Sequence, residues 1–158
     1  MSVTPEDASG SHTPWWSGDQ AGGHAGGSSV VRLLEDARVG VLATVTPRGR
    51  PHVVPCCFAV TGSCIYSAVD AKPKSTQALR RLANLRNDPR SALLVHHYDD
   101  DWTTLWWMRF DCNGRIVEDA NERASALQLL SNKYVQYQAS APSGEVIALD
   151  IERWSVWP

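Results

Sequence analysis

A chain of 158 residues, 43% of them hydrophobic, has the size of one domain and enough apolar side chain for a core. Its formal net charge of -2 and sequence pI near 6.2 weigh against a nucleic-acid binder. No apolar run approaches the roughly 20 residues of a membrane span, and the first residues lack the basic start and apolar stretch of a secretory signal, so a cytoplasmic protein is expected.

Residues 1–28 are rich in Gly, Ser, Asp and Pro without helical or strand periodicity, which predicts a disordered leader ahead of a single domain over 29–158. Trp15 and Trp16 stand out there as a pair able to dock on a hydrophobic surface. Val30, Leu33, Leu34 and Ala37 then fall at i, i+3, i+4 and i+7 behind Ser28 or Ser29 as cap, the pattern of a short amphipathic helix. β-branched and aromatic residues predict strands over 39–46, 51–60 and 64–69, joined by the turns "PRGR" and "TGS" into an antiparallel meander. Pro55, inside the second, cannot donate to a ladder and belongs at an edge or a bulge.

The stretch 70–90 holds Lys72, Lys74, Arg80, Arg81, Arg86 and Arg90 against Asp70 and Asp88. Ala78, Leu79, Leu82, Ala83 and Leu85 give it an apolar helical stripe, with Ser75 as cap and Asn87, Asp88, Pro89 as terminator. By itself this is either a solvated basic face or an anion site. Strands follow over 90–98 and 103–111 around the acidic loop "DDDW", then a turn or bulge at "CNGR". Asp119 and Glu122 make a capping-box-like start for a helix through Leu127 and Leu130, and 144–154 reads as a last strand. Five to seven strands with helices between them predict a mainly β, α+β fold, an antiparallel barrel with helices at its ends.

Within 103–111, alternation puts Trp106, Met108 and Phe110 on a core face and Leu105, Trp107, Arg109 and Asp111 on a face suited to an interface or site. His96 and His97 tempt a metal reading with Asp99 to Asp101, but consecutive strand residues point to opposite faces, so no metal is expected. Cys56, Cys57, Cys64 and Cys112 lack metal or redox spacing and read as buried free thiols. Hydrolase-elbow, phosphate-loop and dinucleotide-turn motifs are missing, so any chemistry is expected to come from a cofactor.

Taken in order, "ATVTPRGRPHVVP", "CIYSAV", "NLRNDPR", "DDDW" with "LWW", and "VIALDIERW" resemble the pyridoxamine 5'-phosphate oxidase-like split β-barrel flavoproteins, FMN-binding-like in fold. Within them the chain is most similar to the actinobacterial branch that uses the deazaflavin coenzyme F420, over about residues 30–157. "DCNGRIVE" departs from the more regular strand usual there. The resemblance implies a homodimer with two interfacial, non-covalent cofactor sites and hydride transfer to a small-molecule substrate. It implies that Val54, Pro55 and Cys56 lie against the ring, that Ser67, Ala68, Lys72, Lys74 and Arg80 follow the phosphate-bearing tail, that Trp102 lies near the cofactor, and that Trp107 faces the partner. FMN is the alternative cofactor, and a non-catalytic deazaflavin carrier or sensor the alternative role. Six basic residues exceed what one phosphate requires, which favours the longer polyanionic tail.

Overall fold

The computed structural model describes residues 27–69 and 76–157. The strands are β1 Gly40–Val45, β2 Pro51–Cys56, β3 Ala59–Thr61, β4 Cys64–Ala68, β5 Arg90–His97, β6 Trp106–Ile116 and β7 Val146–Trp157. The helices are α1 Gly27–Asp36, α2 Thr76–Asn87, α3 Ala120–Lys133 and α4 Val135–Ala139, with a 3-10 turn at Trp102–Thr104. None of the described helices is long and apolar enough to cross a membrane.

The strands form one antiparallel sheet in the order β2-β1-β5-β6-β7-β4-β3. β2 and β3 therefore lie at opposite edges, although only Cys57 and Phe58 separate them in the chain. Three residue steps span at most about 10 Å, so the sheet has to curl until its edges nearly meet. The result is a split β-barrel, open along the seam between β2 and β3.

The expected meander is wrong at this point. "PHVVPCCFAV" is two strands on two edges, because its middle is pulled out of the ladder: the Tyr134 hydroxyl accepts from the Phe58 N–H at 2.9 Å and reaches the Phe58 carbonyl at 3.0 Å and the Arg38 carbonyl at 3.1 Å. Phe58 itself is fully buried and anchors the crossing. Tyr134 precedes α4, a helix with no counterpart in the sequence reading.

Interior positions of the curled sheet, among them Leu42, Ile65, Leu93, Met108, Phe110, Ile147 and Leu149, are fully buried. A second core joins Ala126, Leu130 and Tyr137 of α3 and α4 to Tyr66, Ala68 and Val146 of the sheet. α2 closes one end of the barrel, with Leu82 and Leu85 buried and the Asn84 amide donating to Thr44 Oγ1 at 2.9 Å. Ala83, expected in the stripe, is exposed because the helix buries Arg81 and Asn84 instead.

Two further expectations are resolved along β6. The strand starts at Trp106, leaving Leu105 buried at the end of the 3-10 turn rather than on an outer strand face. Of the turn or bulge expected at "CNGR", the structure has the bulge, between Asp111 and Cys112, and pairing with β7 continues to Ile116. Asp119 does cap α3, accepting from the Glu122 N–H at 2.8 Å.

Candidate functional site

Among the described residues β2 pairs with β1 alone, which leaves its other edge open there. The Thr46 N–H donates to the Arg50 carbonyl at 2.9 Å, and that pair sets the alternation of the ladder. His52, Val54 and Cys56 are thus the residues bonded to β1, while the Val53 N–H and carbonyl and the Pro55 carbonyl face the open edge. Pro55 fits there because no ladder donor is required of it. The side chains divide the same way: Val54 and Cys56 are buried inside, whereas Val53 and Pro55 are exposed outside.

Inside, polar side chains of β2, β4 and α2 come close to one another. Ser67 is 1% exposed and Arg81 9%, yet Ser67 Oγ, Arg81 Nε and His52 Nδ1 are buried without a hydrogen-bond partner among the described residues. The Cys56 thiol joins them: burial pushes its pKa up to about 11, against the opposing pull of Ser67 and Arg81, so it stays protonated at neutral pH. His52 is pulled below its ordinary value by burial and by the positive charge of Arg80 and Arg81, and it is neutral at pH 7. Arg81 makes no ion pair among the described residues. A sheltered guanidinium N–H beside a serine hydroxyl is chemically suited to an anion.

The ten residues expected to contact a cofactor do not form one cluster in the single chain. Val54, Cys56 and Ser67 face the interior, with Cys56 close to Ser67 and Arg81. Ala68 points the other way, into the core with Tyr66. Pro55 lies outside, in the ladder row Pro55, Val41, Leu94, Arg109, on the same face as half-buried Trp107. Trp107 lines a cavity of about 380 Å³ with Leu94, His96, Tyr98 and Arg109. Trp102 is 80% exposed on the 3-10 turn capped by Asp101. Arg80 is exposed on α2, and Lys72 and Lys74 lie outside the described residues, as do Trp15, Trp16 and the Ser75 cap.

Arg81 and His52 are the residues that sequence reasoning missed. Arg81 shares a helix face with Asn84 and Leu85, a spacing that marks an inward arginine, and His52 is two positions before Val54 on a strand. Two other members of the basic stretch are committed elsewhere: Arg86 pairs with Glu145, and Arg90 with Asp88 at 2.6 Å. Arg109 and Arg153 share Asp111, at 3.1 and 2.7 Å, which makes the outer face of β6 partly self-neutralised. On β5, His97 stacks on Trp106 while His96 meets the edge of Tyr98.

Known structures share this fold. A conserved hypothetical protein from Mycobacterium tuberculosis is 24% identical with a TM-score of 0.65, and 82% of each chain is covered. HutZ, the heme storage protein from Vibrio cholerae, is 14% identical with a TM-score of 0.64, covering 82% of this chain and 92% of that one. A heme binding protein from Mycobacterium smegmatis is 19% identical with a TM-score of 0.63, covering 80% of this chain and 52% of that one. No curated protein matches the sequence. A family model described as pyridoxamine 5'-phosphate oxidase matches residues 28–158, nearly everything that builds the barrel and its seam, and the chain belongs to that family.

Proposed function

We propose that the protein is an oxidoreductase that uses coenzyme F420, acting as a homodimer on a small-molecule substrate. The reading rests on one observation: Arg81, Ser67 and His52 bury polar atoms that have no partner among the described residues, on the inner side of β2. These are groups suited to a phosphate-bearing cofactor. The free carbonyls of Val53 and Pro55 and the Val53 N–H are available to the heteroatoms of a flavin-type ring. Arg86 and Arg90 being paired, Lys72, Lys74, Arg80 and Arg81 remain for a tail, still more charge than one phosphate requires. That excess favours the deazaflavin over FMN, the alternative of the same ring type.

When bound, the deazaflavin supplies hydride exchange with an electron-poor double bond. The chain's part is to orient the ring, neutralise the tail and exclude water. Cys56, held as the thiol, takes no part as a nucleophile. The outer face of the sheet supports the homodimer: Val53 is 57% exposed, and Val41, Ala43, Leu94 and Trp107 are half-buried around it. A second copy there brings Trp107, and Trp102 from the adjoining loop, toward the seam of its partner.

Titration with coenzyme F420 and with FMN, followed through the fluorescence of the seven tryptophans, tests the choice. F420 is expected to bind more tightly and to quench. Equal affinities, or tighter FMN, would sink it, and F420 binding without turnover of any acceptor would leave a carrier or sensor. A second reading, heme, is favoured by His96, which lines the outer cavity with Trp107 and Arg109, a candidate axial ligand near a cation. Saturable hemin binding with a shifted Soret band, lost in His96→Ala, would select it.

A further inference from the structure

A second cavity, of about 500 Å³, opens between α1, β3 and α3, and none of the expected cofactor contacts line it. Val31, Leu34, Val60 and Leu129 make apolar walls, and Arg38 and Lys133 bring two cations to it. Lys133 is the unexplained member. Its Nζ donates to the Leu34 carbonyl at 2.7 Å and lies 3.8 Å from the centre of the Phe58 ring. The carbonyl takes one N–H and the ring face a second, and the third has no partner among the described residues. Nor does Lys133 pair with any carboxylate among them. A sheltered ammonium without a counter-ion is costly, and capping α1 through Leu34 accounts for only one of its donors.

Arg38, which follows α1, sits 4.9 Å from the centre of the Tyr134 ring on the same rim. The backbone adds to this. Phe58 spends its N–H and carbonyl on Tyr134, on the side of β3 away from β4, so alternation turns the Val60 N–H and carbonyl to that side as well. Glu35 is the one acid in the lining, and it forms no ion pair with either cation among the described residues.

We infer that this cavity binds a small amphipathic carboxylate, its head on Lys133 and Arg38 and its apolar body along Val31, Leu34, Val60 and Leu129. The inference is independent of the cofactor reading. Burial, and then the charge of Arg38, lower the pKa of Lys133 to about 8, while Cys57, Glu35 and Asp36 oppose the shift and the Tyr134 ring packs beside it. An anion needs the protonated amine. Above the acid's own pKa, carboxylate affinity is therefore constant up to about pH 8 and falls as the pH rises beyond it.

Calorimetric titration of the full chain with octanoate and with octanol tests this. Octanoate is expected to bind about tenfold or more tightly than octanol at pH 7, a charge-assisted margin. Lys133→Met cuts that margin to what Arg38 alone supplies, and Leu129→Trp, which fills the cavity, abolishes binding of both while leaving F420 or FMN titration unchanged. Three results would overturn the proposal: no octanoate binding by the wild-type chain, equal affinities for acid and alcohol, or no weakening between pH 7 and 10. A fourth is octanoate binding that appears only after Trp15 and Trp16 are both changed to Ala, which would make the leader the native occupant. The acid and alcohol comparison, the pH series and Leu129→Trp decide the matter even where Lys133→Met does not fold.

Discussion

Arg81→Met lowers cofactor affinity by about tenfold to a hundredfold and leaves the cofactor-free protein at least as stable as before. The two halves of that result have one cause. Arg81 is 9% exposed, with its Nε unpartnered among the described residues, so the fold shelters a charge that nothing among those residues neutralises. A charge-assisted hydrogen bond to a phosphate contributes roughly 1.5 to 3 kcal/mol, which the variant loses on binding. Replacing a poorly paired buried charge with a side chain of similar volume is neutral or stabilising for the fold. Arg86→Ala is the control, because Arg86 is already paired with Glu145 and half-exposed, and its loss changes cofactor affinity little. Ligand titration and urea unfolding on the same preparations give both quantities. Equal loss of affinity in the two variants would mean that the basic stretch acts as a diffuse field and that Arg81 has no privileged place.

Gly114 offers a comparably large effect on the fold. A Cβ at this position would lie 2.5 Å from Leu85 Cδ2 and 2.9 Å from Ser91 Oγ, with Leu149 at 3.2 Å. Leu85 and Leu149 are buried, so the space has to come from repacking where α2 plugs the barrel. Gly114→Ala is expected to cost about 1 to 3 kcal/mol of unfolding free energy, and Gly114→Val more. Because Leu85 shares α2 with Arg81, pushing the helix off its seat also weakens cofactor binding. Adding Leu85→Ala should give back part of the stability, a favourable coupling between neighbours that a double-mutant cycle reads directly. Urea curves for Gly114→Ala that overlay the wild type would show that the packing at this end is loose.

The elements that local pattern controls were legible. Apolar spacing gave α1 and α2, alternation placed Met108 and Phe110 in the core, and Asp119 announced the start of α3. Where long-range contacts decide, local pattern misled. Nothing in "PHVVPCCFAV" shows that Tyr134, 76 residues after Phe58, takes both backbone groups of that residue and sends the two halves to opposite edges. At "CNGR" the sequence offered a turn or a bulge, and only the register with β7 decides for the bulge between Asp111 and Cys112. At the site, Pro55 was readable because a proline on a strand has few places to be. Arg81 was not distinguishable from Arg80 by charge, since only the docking of α2 on the barrel end decides which of two adjacent arginines turns inward.

Native mass spectrometry of the full chain mixed with equal concentrations of coenzyme F420 and FMN tests the central claim most directly, because assembly and cofactor choice are read in one spectrum. The account predicts a dimer carrying two deazaflavin molecules, one for each seam. A monomer, or a dimer loaded with FMN in preference to F420, would contradict it.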